Sequence, residues 1–249
     1  MKKTYSPLSI FKLMLFLLLL PSLTFAQEAR IKYTEQIQIP ENVKDLEPNI
    51  RAAVEAQLKQ QGKTKYLYYN RGISLYMADD EVESGNNVNA TQSNIQIKTL
   101  GGDAVVYKNH ESKEMICQEY ILDRKFLIDE KLETSAWNLE AEEKTIGNFK
   151  CKKASNGDGD IAWYCPDIPI SDGPLIYYGL PGLIIEMETK TQTITAEEIN
   201  TKYDTSAKIK KPDSGKSVSR EEYKETFKKK MAEMGVDGGS SGVKVIKMQ

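Results

Sequence analysis

The residues of this chain that could carry out catalysis include many carboxylates but only one histidine, and their spacing matches no common active site. The one histidine, His110, lies in the polar stretch 107–113, which has the composition of a surface turn. No second histidine follows His110-Glu111 at the spacing of a zinc-protease helix. We therefore expect His110 to be a solvated residue of a turn and not the base of a catalytic triad.

The sequence also predicts no metal site and no cofactor. Asn156, Asp158 and Asp160 alternate as at the start of a calcium-binding loop, but Ile161 and Asp167 occupy the positions of its Gly and Glu. A hairpin turn explains the same residues, and the cysteine spacings match no zinc pattern. A carboxylate-dependent hydrolase stays open, because sequence cannot show which carboxylates lie close together.

The chain has three cysteines, which leaves at least one thiol unpaired. A hairpin folded at Asn156–Gly159 would place Cys151 opposite Cys165 on neighbouring strands, so a disulfide between them is a candidate. Pairing of Cys117 with either one is the alternative, because connectivity does not follow from sequence.

Residues 166–186 form the most unusual segment, with four prolines and three glycines among apolar and aromatic residues. Pro181-Gly182 suits the centre of a type II turn, in which Pro fixes one φ and Gly accepts a positive φ. One interpretation is a buried structural corner, since turn chemistry explains every Gly and Pro. The other is a rigid surface for a partner or small ligand, here called the apolar lip, which displays Tyr177, Tyr178, Leu180 and Pro181.

The hydrophobic pattern predicts a mainly β fold: an antiparallel, curved sheet, half-barrel or sandwich with two helices. The helices are expected near 48–61 and 220–234, the second beginning with the capping box Ser219–Glu222. Residues 79–94 are polar and predict a surface loop. Strands are expected within 30–39, 64–78 (one bent strand or a hairpin), 104–107, 114–122, 125–128, 149–154, 161–165, 183–189, 192–203 and 243–246.

The N-terminus has the pattern of a secretory signal peptide. Lys2 and Lys3 precede an apolar run at 13–20, and the small residues around Ala26 suit cleavage after it. We expect residues 1–26 to be removed and 27–249 to form a single β-rich domain with a flexible tail near 236–242 and no transmembrane segment. The formal net charge of −2 without a basic block disfavours nucleic-acid binding.

One short motif resembles the signature of a known family, and it consists of Gly179, Leu180, Pro181, Gly182, Leu183 and Ile184. On this motif the chain resembles the GLPGLI family of exported bacterial proteins of the Bacteroidota type. Further segments resemble blocks of that family in the same order: 66–70, 74–76, Trp137, 146–147, 151–154, 162–164, 168–174 and 219–223.

The resemblance implies a periplasmic or secreted cell-envelope protein without an established function, and it carries over no catalytic residues. The six residues of the motif are therefore expected to act as a structural motif. Because some members are encoded near TonB-dependent transport components, the resemblance also implies an outer-membrane transport component as a possible partner.

Together these observations favour a non-enzymatic binding or accessory module that uses the apolar lip to hold an apolar ligand or a partner. Two alternatives stay open at this point. One is the carboxylate-dependent hydrolase, and the other is a structural protein that docks onto an outer-membrane transport complex.

Overall fold

The computed structural model describes residues 28–39, 41–60, 62–78, 95–99, 104–133, 136–233 and 243–247. The predicted signal peptide, the loop 79–94 and the flexible tail near 236–242 lie outside the described residues. None of the helices in the described part of the chain is long and apolar enough to cross a membrane.

The prediction of a mainly β fold is confirmed. Twelve strands of the described residues form one open sheet in the order β13-β7-β6-β5-β3-β2-β1-β12-β11-β10-β9-β8, and β14 pairs with β4 separately. Neighbouring strands are antiparallel except for β13 and β7, which are parallel. The strands are β1 Glu28–Ile37, β2 Lys63–Asn70, β3 Ile73–Ala78, β4 Ile95–Thr99, β5 Val105–Asn109, β6 Glu114–Ile121, β7 Arg124–Lys131, β8 Asn138–Ile146, β9 Phe149–Ser155, β10 Ile161–Cys165, β11 Leu183–Glu188, β12 Gln192–Asn200, β13 Lys216–Val218 and β14 Val243–Lys247.

β1 joins the two halves of the sheet, because it pairs with β2 on one side and β12 on the other. Its alternating sequence buries Ala29, Ile31 and Tyr33 on one face, as a half-buried strand should. Lys32, on the opposite face, pairs with Glu197 of β12. The apolar face of β1 is therefore the centre of the main core.

Three helices accompany the sheet: α1 Glu41–Lys44, α2 Pro48–Gln60 and α3 Arg220–Glu233. The two longer helices lie where the sequence predicts them, and α1 is an addition of a single turn. In α2, Val54 and Leu58 pack with Val43 of α1 in a small core of their own. The apolar side of α2 is therefore buried in this small core and not in the main core.

The last helix, α3, covers part of the main core. The capping box forms as expected: the amide of Glu222 donates to the Ser219 hydroxyl, and the Ser219 amide donates to the Glu222 carboxylate, each at 3.1 Å. Tyr223 and Met231 are buried, and the ring of Tyr223 meets that of Phe126 edge-on at 5.6 Å. The apolar stripe of α3 thus faces the sheet.

Two features of the sheet go beyond the sequence prediction. The stretch 64–78 is a hairpin and not one bent strand; its turn residues Arg71 and Gly72 both have positive φ, 46° and 85°. That geometry matches the right-handed twist of the paired strands. The edge strand β8 is not predicted, because most of its side chains are exposed and its sequence carries no apolar alternation.

Candidate functional site

The residues 166–182 between β10 and β11, here called the corner segment, are held to the sheet by a buried ion pair. Asp172 of this segment and Lys108 of β5 are both fully buried, and the Lys108 Nζ contacts Asp172 Oδ1. The same Nζ donates to the carbonyl oxygens of Gly173 at 2.9 Å and Tyr177 at 3.2 Å. Three acceptors match the three donors of an ammonium group, so Lys108 fixes the path of the corner segment.

His110 lies in the turn between β5 and β6, as predicted, but it is not a freely solvated side chain. Its Nε2 lies 3.2 Å from Asp172 Oδ2, and its ring meets Tyr178 edge-on at 5.5 Å. The prediction of a solvated His110 is therefore wrong in that respect, because a buried carboxylate from the corner segment lies beside it. His110 adds a second contact between the β5–β6 turn and the corner segment.

The Asp172 carboxylate is stabilised in its charged form despite complete burial. Burial alone would raise its pKa, but the charge of Lys108 and the hydrogen bond with His110 outweigh burial and lower it. The amide of Gly173 also donates to Asp172 Oδ1 at 2.7 Å. The carboxylate is thus satisfied entirely inside the protein, as expected of a structural ion pair.

The apolar residues of the Gly-Leu-Pro-Gly-Leu-Ile motif are mostly interior. Leu180 has an exposed fraction of 1%, and Leu183 and Ile184 are fully buried. Leu180 is therefore not displayed at the surface, and its place in the predicted apolar lip is wrong, because its side chain packs in the main core. Pro181 is exposed and Tyr177 and Tyr178 are half-buried, so a binding role for these three stays a prediction.

Gly179, the first residue of the motif, is exposed, unlike the buried Leu180 that follows it. Its φ is +90°, and its amide donates to the carbonyl oxygen of Ser171 at 3.2 Å, beside the bridge between Asp172 and Tyr178. The expected positive φ of Gly182 is therefore not the only one in the motif. The backbone also reverses at Gly179, because this exposed residue is followed at once by the core residue Leu180.

Gly182 explains why the chain turns so tightly before β11. Its φ is +151°, and a Cβ built there would lie 2.2 Å from the carbonyl oxygen of Cys165. The positive φ agrees with the expected turn, but the hydrogen bonds differ from those of type II. The Gly182 amide donates to the carbonyl oxygen of Leu180 at 2.8 Å, and the Leu183 amide donates to the carbonyl oxygen of Ile168 at 3.0 Å. The turn is shaped by packing against the end of β10.

A cleft with a volume of about 300 Å³ lies beside the corner segment. It combines residues from three places: the entry to β8, the β9–β10 turn and the corner segment. Trp137, Ile176 and Tyr177 give it apolar and aromatic walls, and the polar lining includes Asn156, Asp158 and Asp160. Ile176 is 44% exposed, one of three large apolar side chains that are clearly exposed in the described residues. The cleft therefore offers apolar surface next to two carboxylates.

The polar groups of the cleft are ordered by hydrogen bonds within the protein. Asp160 Oδ2 accepts from the Tyr177 hydroxyl at 2.9 Å and from Asn156 Nδ2 at 3.0 Å. Asn156 Oδ1 accepts the amides of Asp158 and Asp160, which closes the predicted hairpin turn. Burial and the charge of Asp160 raise the pKa of Tyr177, so its hydroxyl stays a donor at neutral pH. Among the described residues, no group of three or more His, Cys, Asp or Glu side chains could hold a metal ion.

Trp137 is fixed by the corner segment. Its Nε1 donates to the carbonyl oxygen of Tyr178 at 2.8 Å, and its ring lies 6.3 Å from that of Tyr177. The Tyr178 hydroxyl donates in turn to the carbonyl oxygen of Glu133. Both aromatic walls therefore depend on where the Lys108–Asp172 ion pair places the corner segment.

The predicted Cys151–Cys165 disulfide is wrong in this structure. All three cysteines are free and buried. The register of β9 and β10 is the predicted one, with Lys152 opposite Tyr164, but the Cys151 thiol is directed at the carbonyl oxygen of Phe149, 3.6 Å away on its own strand. Burial raises the pKa of Cys151 to about 11 and that of Cys117 to about 12, which makes both unreactive at neutral pH.

Of the residues that build this site, sequence reasoning selected Tyr177 but not Lys108 or Trp137. A signal for Lys108 does exist: it shares the parity of the buried Val106 in β5, and a lysine at an inward position requires a buried partner. No pattern identifies Asp172 as that partner, because the two residues lie on separate elements far apart in the sequence.

Part of the site lies in a segment of the sequence that matches the model of a protein family. A family model described as "Protein of unknown function (Porph_ging)" matches residues 159–186, which include Asp160, the corner segment and most of β11. The match covers well under half of the chain, and it carries a different description from the expected GLPGLI name, so membership of the GLPGLI family stays a prediction. No curated protein matches the chain.

Among solved structures, the chain is similar to PNGF-II in two crystal forms. In the P21 space group the identity is 13%, the TM-score is 0.48, and the match covers 81% of this chain and 33% of that chain. In the C2 space group the identity is again 13%, with a TM-score of 0.45 and coverage of 81% and 32%. The chain thus spans about a third of the length of the PNGF-II chains that it matches. A similarity of this size indicates neither activity nor ligand.

Proposed function

We propose that this protein is an exported, non-enzymatic binding module of the bacterial cell envelope that holds a ligand in the cleft beside the corner segment. The observation that carries the proposal is the cleft itself, where the exposed side chain of Ile176 and the rings of Trp137 and Tyr177 surround an opening of about 300 Å³. Small-molecule sites combine apolar and aromatic walls with a few ordered polar groups in this way.

The rigidity of the walls supports binding. Lys108 holds the backbone of Tyr177, and the backbone of Tyr178 holds the indole of Trp137. Walls that are already in place in the free protein reduce the entropy lost when a ligand binds. The corner segment carries Ile176 and Tyr177 to the edge of the cleft, and Tyr177 also belongs to the predicted apolar lip.

The composition of the lining supports a role without catalysis. In the described part of the chain its side chains include no Ser, Cys, His or Lys, so a hydroxyl or thiol nucleophile paired with a nitrogen base does not occur among these lining residues. Two carboxylates, Asp158 and Asp160, are present, and the carboxylate-dependent hydrolase is the competing outcome. Export and the envelope location rest on the signal-peptide pattern at residues 1–26 and on the resemblance to exported proteins.

Fluorine NMR of the mature protein labelled with 5-fluorotryptophan tests this proposal. The chain has two tryptophans. Trp137 lines the cleft, so its fluorine signal reports binding there. Trp163 is buried on the sheet, so its signal reports changes of the whole fold. In a panel of cationic, neutral and anionic small molecules with short alkyl stems, we expect at least one to shift the Trp137 signal and leave that of Trp163 unchanged.

Two matched variants assign the binding to the cleft. Ile176→Ser removes an exposed apolar side chain from the cleft, and Leu139→Ser removes one that is 60% exposed on β8 outside the lining. Binding should weaken in Ile176→Ser only. The proposal fails if no member of the panel moves the Trp137 signal, or if a bound compound is turned over and turnover stops in Asp160→Asn.

A further inference from the structure

Among the described residues that line the cleft, the ring donors of Trp137 and Tyr177 are already engaged with the protein itself, and Asn156 uses one of its two amide hydrogens in the same way. The indole N–H of Trp137 donates to the Tyr178 carbonyl oxygen, and the Tyr177 hydroxyl and the Asn156 amide both donate to Asp160 Oδ2. A tryptophan and a tyrosine each have one hydrogen to donate, so neither ring can bond a ligand acceptor without giving up its present partner.

The acceptors of the cleft, in contrast, have capacity to spare. A carboxylate has about four lone-pair positions, and the two bonds to Asp160 both reach Oδ2. The Asp158 side chain is exposed at the tip of the same turn. A ligand that only donates hydrogen bonds therefore fits this lining better than a carboxylate, a phosphate or a carbonyl compound, each of which must find donors.

The charge of the lining also favours a ligand that donates hydrogen bonds, and in particular a cation. The described residues of the lining include two carboxylates and no lysine, arginine or histidine, so their formal charge is negative. Trp137 and Tyr177 also line the cleft, and the faces of aromatic rings attract ammonium and guanidinium groups. Ile176 supplies apolar surface for an aliphatic stem beside the charged end.

We propose that the cleft binds an alkylammonium or alkylguanidinium group, a donor-only cation carried on an aliphatic stem. The inference rests on the proposed function and names the ligand chemistry of the same site. The cation sits at Asp158 and Asp160, and the stem lies along Ile176 and the aromatic walls. Two sources present this chemistry: a free polyamine, and a lysine or arginine side chain of a partner protein.

The test compares three probes of equal stem length on the fluorine-labelled mature protein: cadaverine, 1,5-pentanediol and glutarate. We expect cadaverine to shift the Trp137 signal in a saturable way, with an affinity that falls as salt is added, and the diol and the dicarboxylate to have little effect. Comparing cadaverine with the methylamide of N-acetyl-lysine separates the sources, because a site for a protein side chain should prefer the latter.

Carboxylate variants complete the test. Asp158→Asn and Asp160→Asn should each weaken cadaverine binding about fivefold, as expected for a partly exposed ion pair. Asp123→Asn, in the exposed β6–β7 turn, is the matched control and should bind like the wild type. Asp158→Asn keeps the test valid if Asp160→Asn is unstable, because Asp158 joins the turn through its backbone amide, which the substitution leaves in place.

The outcomes separate this inference from the function on which it rests. If pentanediol or glutarate shifts the Trp137 signal as strongly as cadaverine does, the cation preference is overturned while a binding cleft is retained. If none of the three probes and no other member of the wider panel shifts it, both proposals are overturned.

Discussion

Lys108 and Asp172 form an ion pair with no solvent exposure, and it joins β5 to the corner segment that carries one wall of the cleft. Each partner also has neutral contacts: Lys108 reaches two backbone carbonyl oxygens, and Asp172 accepts the Gly173 amide. A buried charge is tolerated only when it is paired and hydrogen-bonded in this way. The arrangement of the cleft therefore depends on a contact that lies beneath it.

Removing one partner of the ion pair should be costly. In Lys108→Met the Asp172 carboxylate stays buried without its cation, and we expect the free energy of unfolding to fall by about 3–5 kcal/mol. Urea denaturation followed by circular dichroism measures this change. The double variant Lys108→Met/Asp172→Leu, which buries no charge, should recover much of the loss. A single variant within about 1 kcal/mol of the wild type would show that the pair is not buried as described.

The ion pair also predicts a pH dependence. The pKa of Asp172 is lowered in the folded protein from an ordinary value of 3.8, so its stabilising contribution is complete above pH 3.8 and is lost as the pH falls through the folded-state pKa. Wild type should be more stable than Asp172→Asn at pH 7, and this difference should shrink below about pH 4. Unfolding free energies measured between pH 7 and 2 check this. A difference that stays constant or grows toward pH 2 would contradict the assignment.

Gly182 should tolerate no side chain. A Cβ at this position meets the Cys165 carbonyl oxygen at 2.2 Å, so Gly182→Ala should lower the free energy of unfolding by about 3 kcal/mol or more. Gly157→Ala is the matched control, because a Cβ there has no atom within 4 Å, and its stability should be close to that of the wild type. Thermal melting of both variants gives the comparison. Equal melting temperatures would mean that the turn before β11 is built differently.

The cysteines should behave as three protected thiols. Burial raises the pKa of each, so a thiol reagent at neutral pH should label none of them in the native protein and all three in denaturant. Mass spectrometry counts the labels and also detects a disulfide, which lowers the mass by two hydrogen atoms. A single label after denaturation without reductant would show that two of the thiols are paired.

Local patterns were sufficient to predict much of the fold. The alternation of Ile31 and Tyr33 places β1 on the core, and the Ser219–Glu222 capping box marks the start of α3. These features are readable because each is decided within a few residues of the chain. The strand β8 could not be predicted in this way. It lies at the edge of the sheet, pairs through its backbone and is mostly exposed, so apolar residues do not alternate along its sequence.

The candidate site was less predictable, because long-range contacts decide it. The sequence predicts Tyr177 as a binding residue, but nothing in the local pattern indicates that Gly179 is exposed and Leu180, the next residue, lies in the core. The choice between a buried corner and an exposed lip depends on the Lys108–Asp172 contact, which no local pattern encodes. The cleft also needs the entry to β8 and the β9–β10 turn, which only the complete sheet brings together.

The claim that the cleft holds a ligand is tested most directly by native mass spectrometry of the mature protein purified from its own cell envelope. Three proteins are compared: wild type, Ile176→Ser and Leu139→Ser. We predict an added mass on the wild type and on Leu139→Ser that is absent from Ile176→Ser, because only Ile176 lines the cleft. The absence of an added mass on all three proteins, or the same added mass on all three, would contradict the claim.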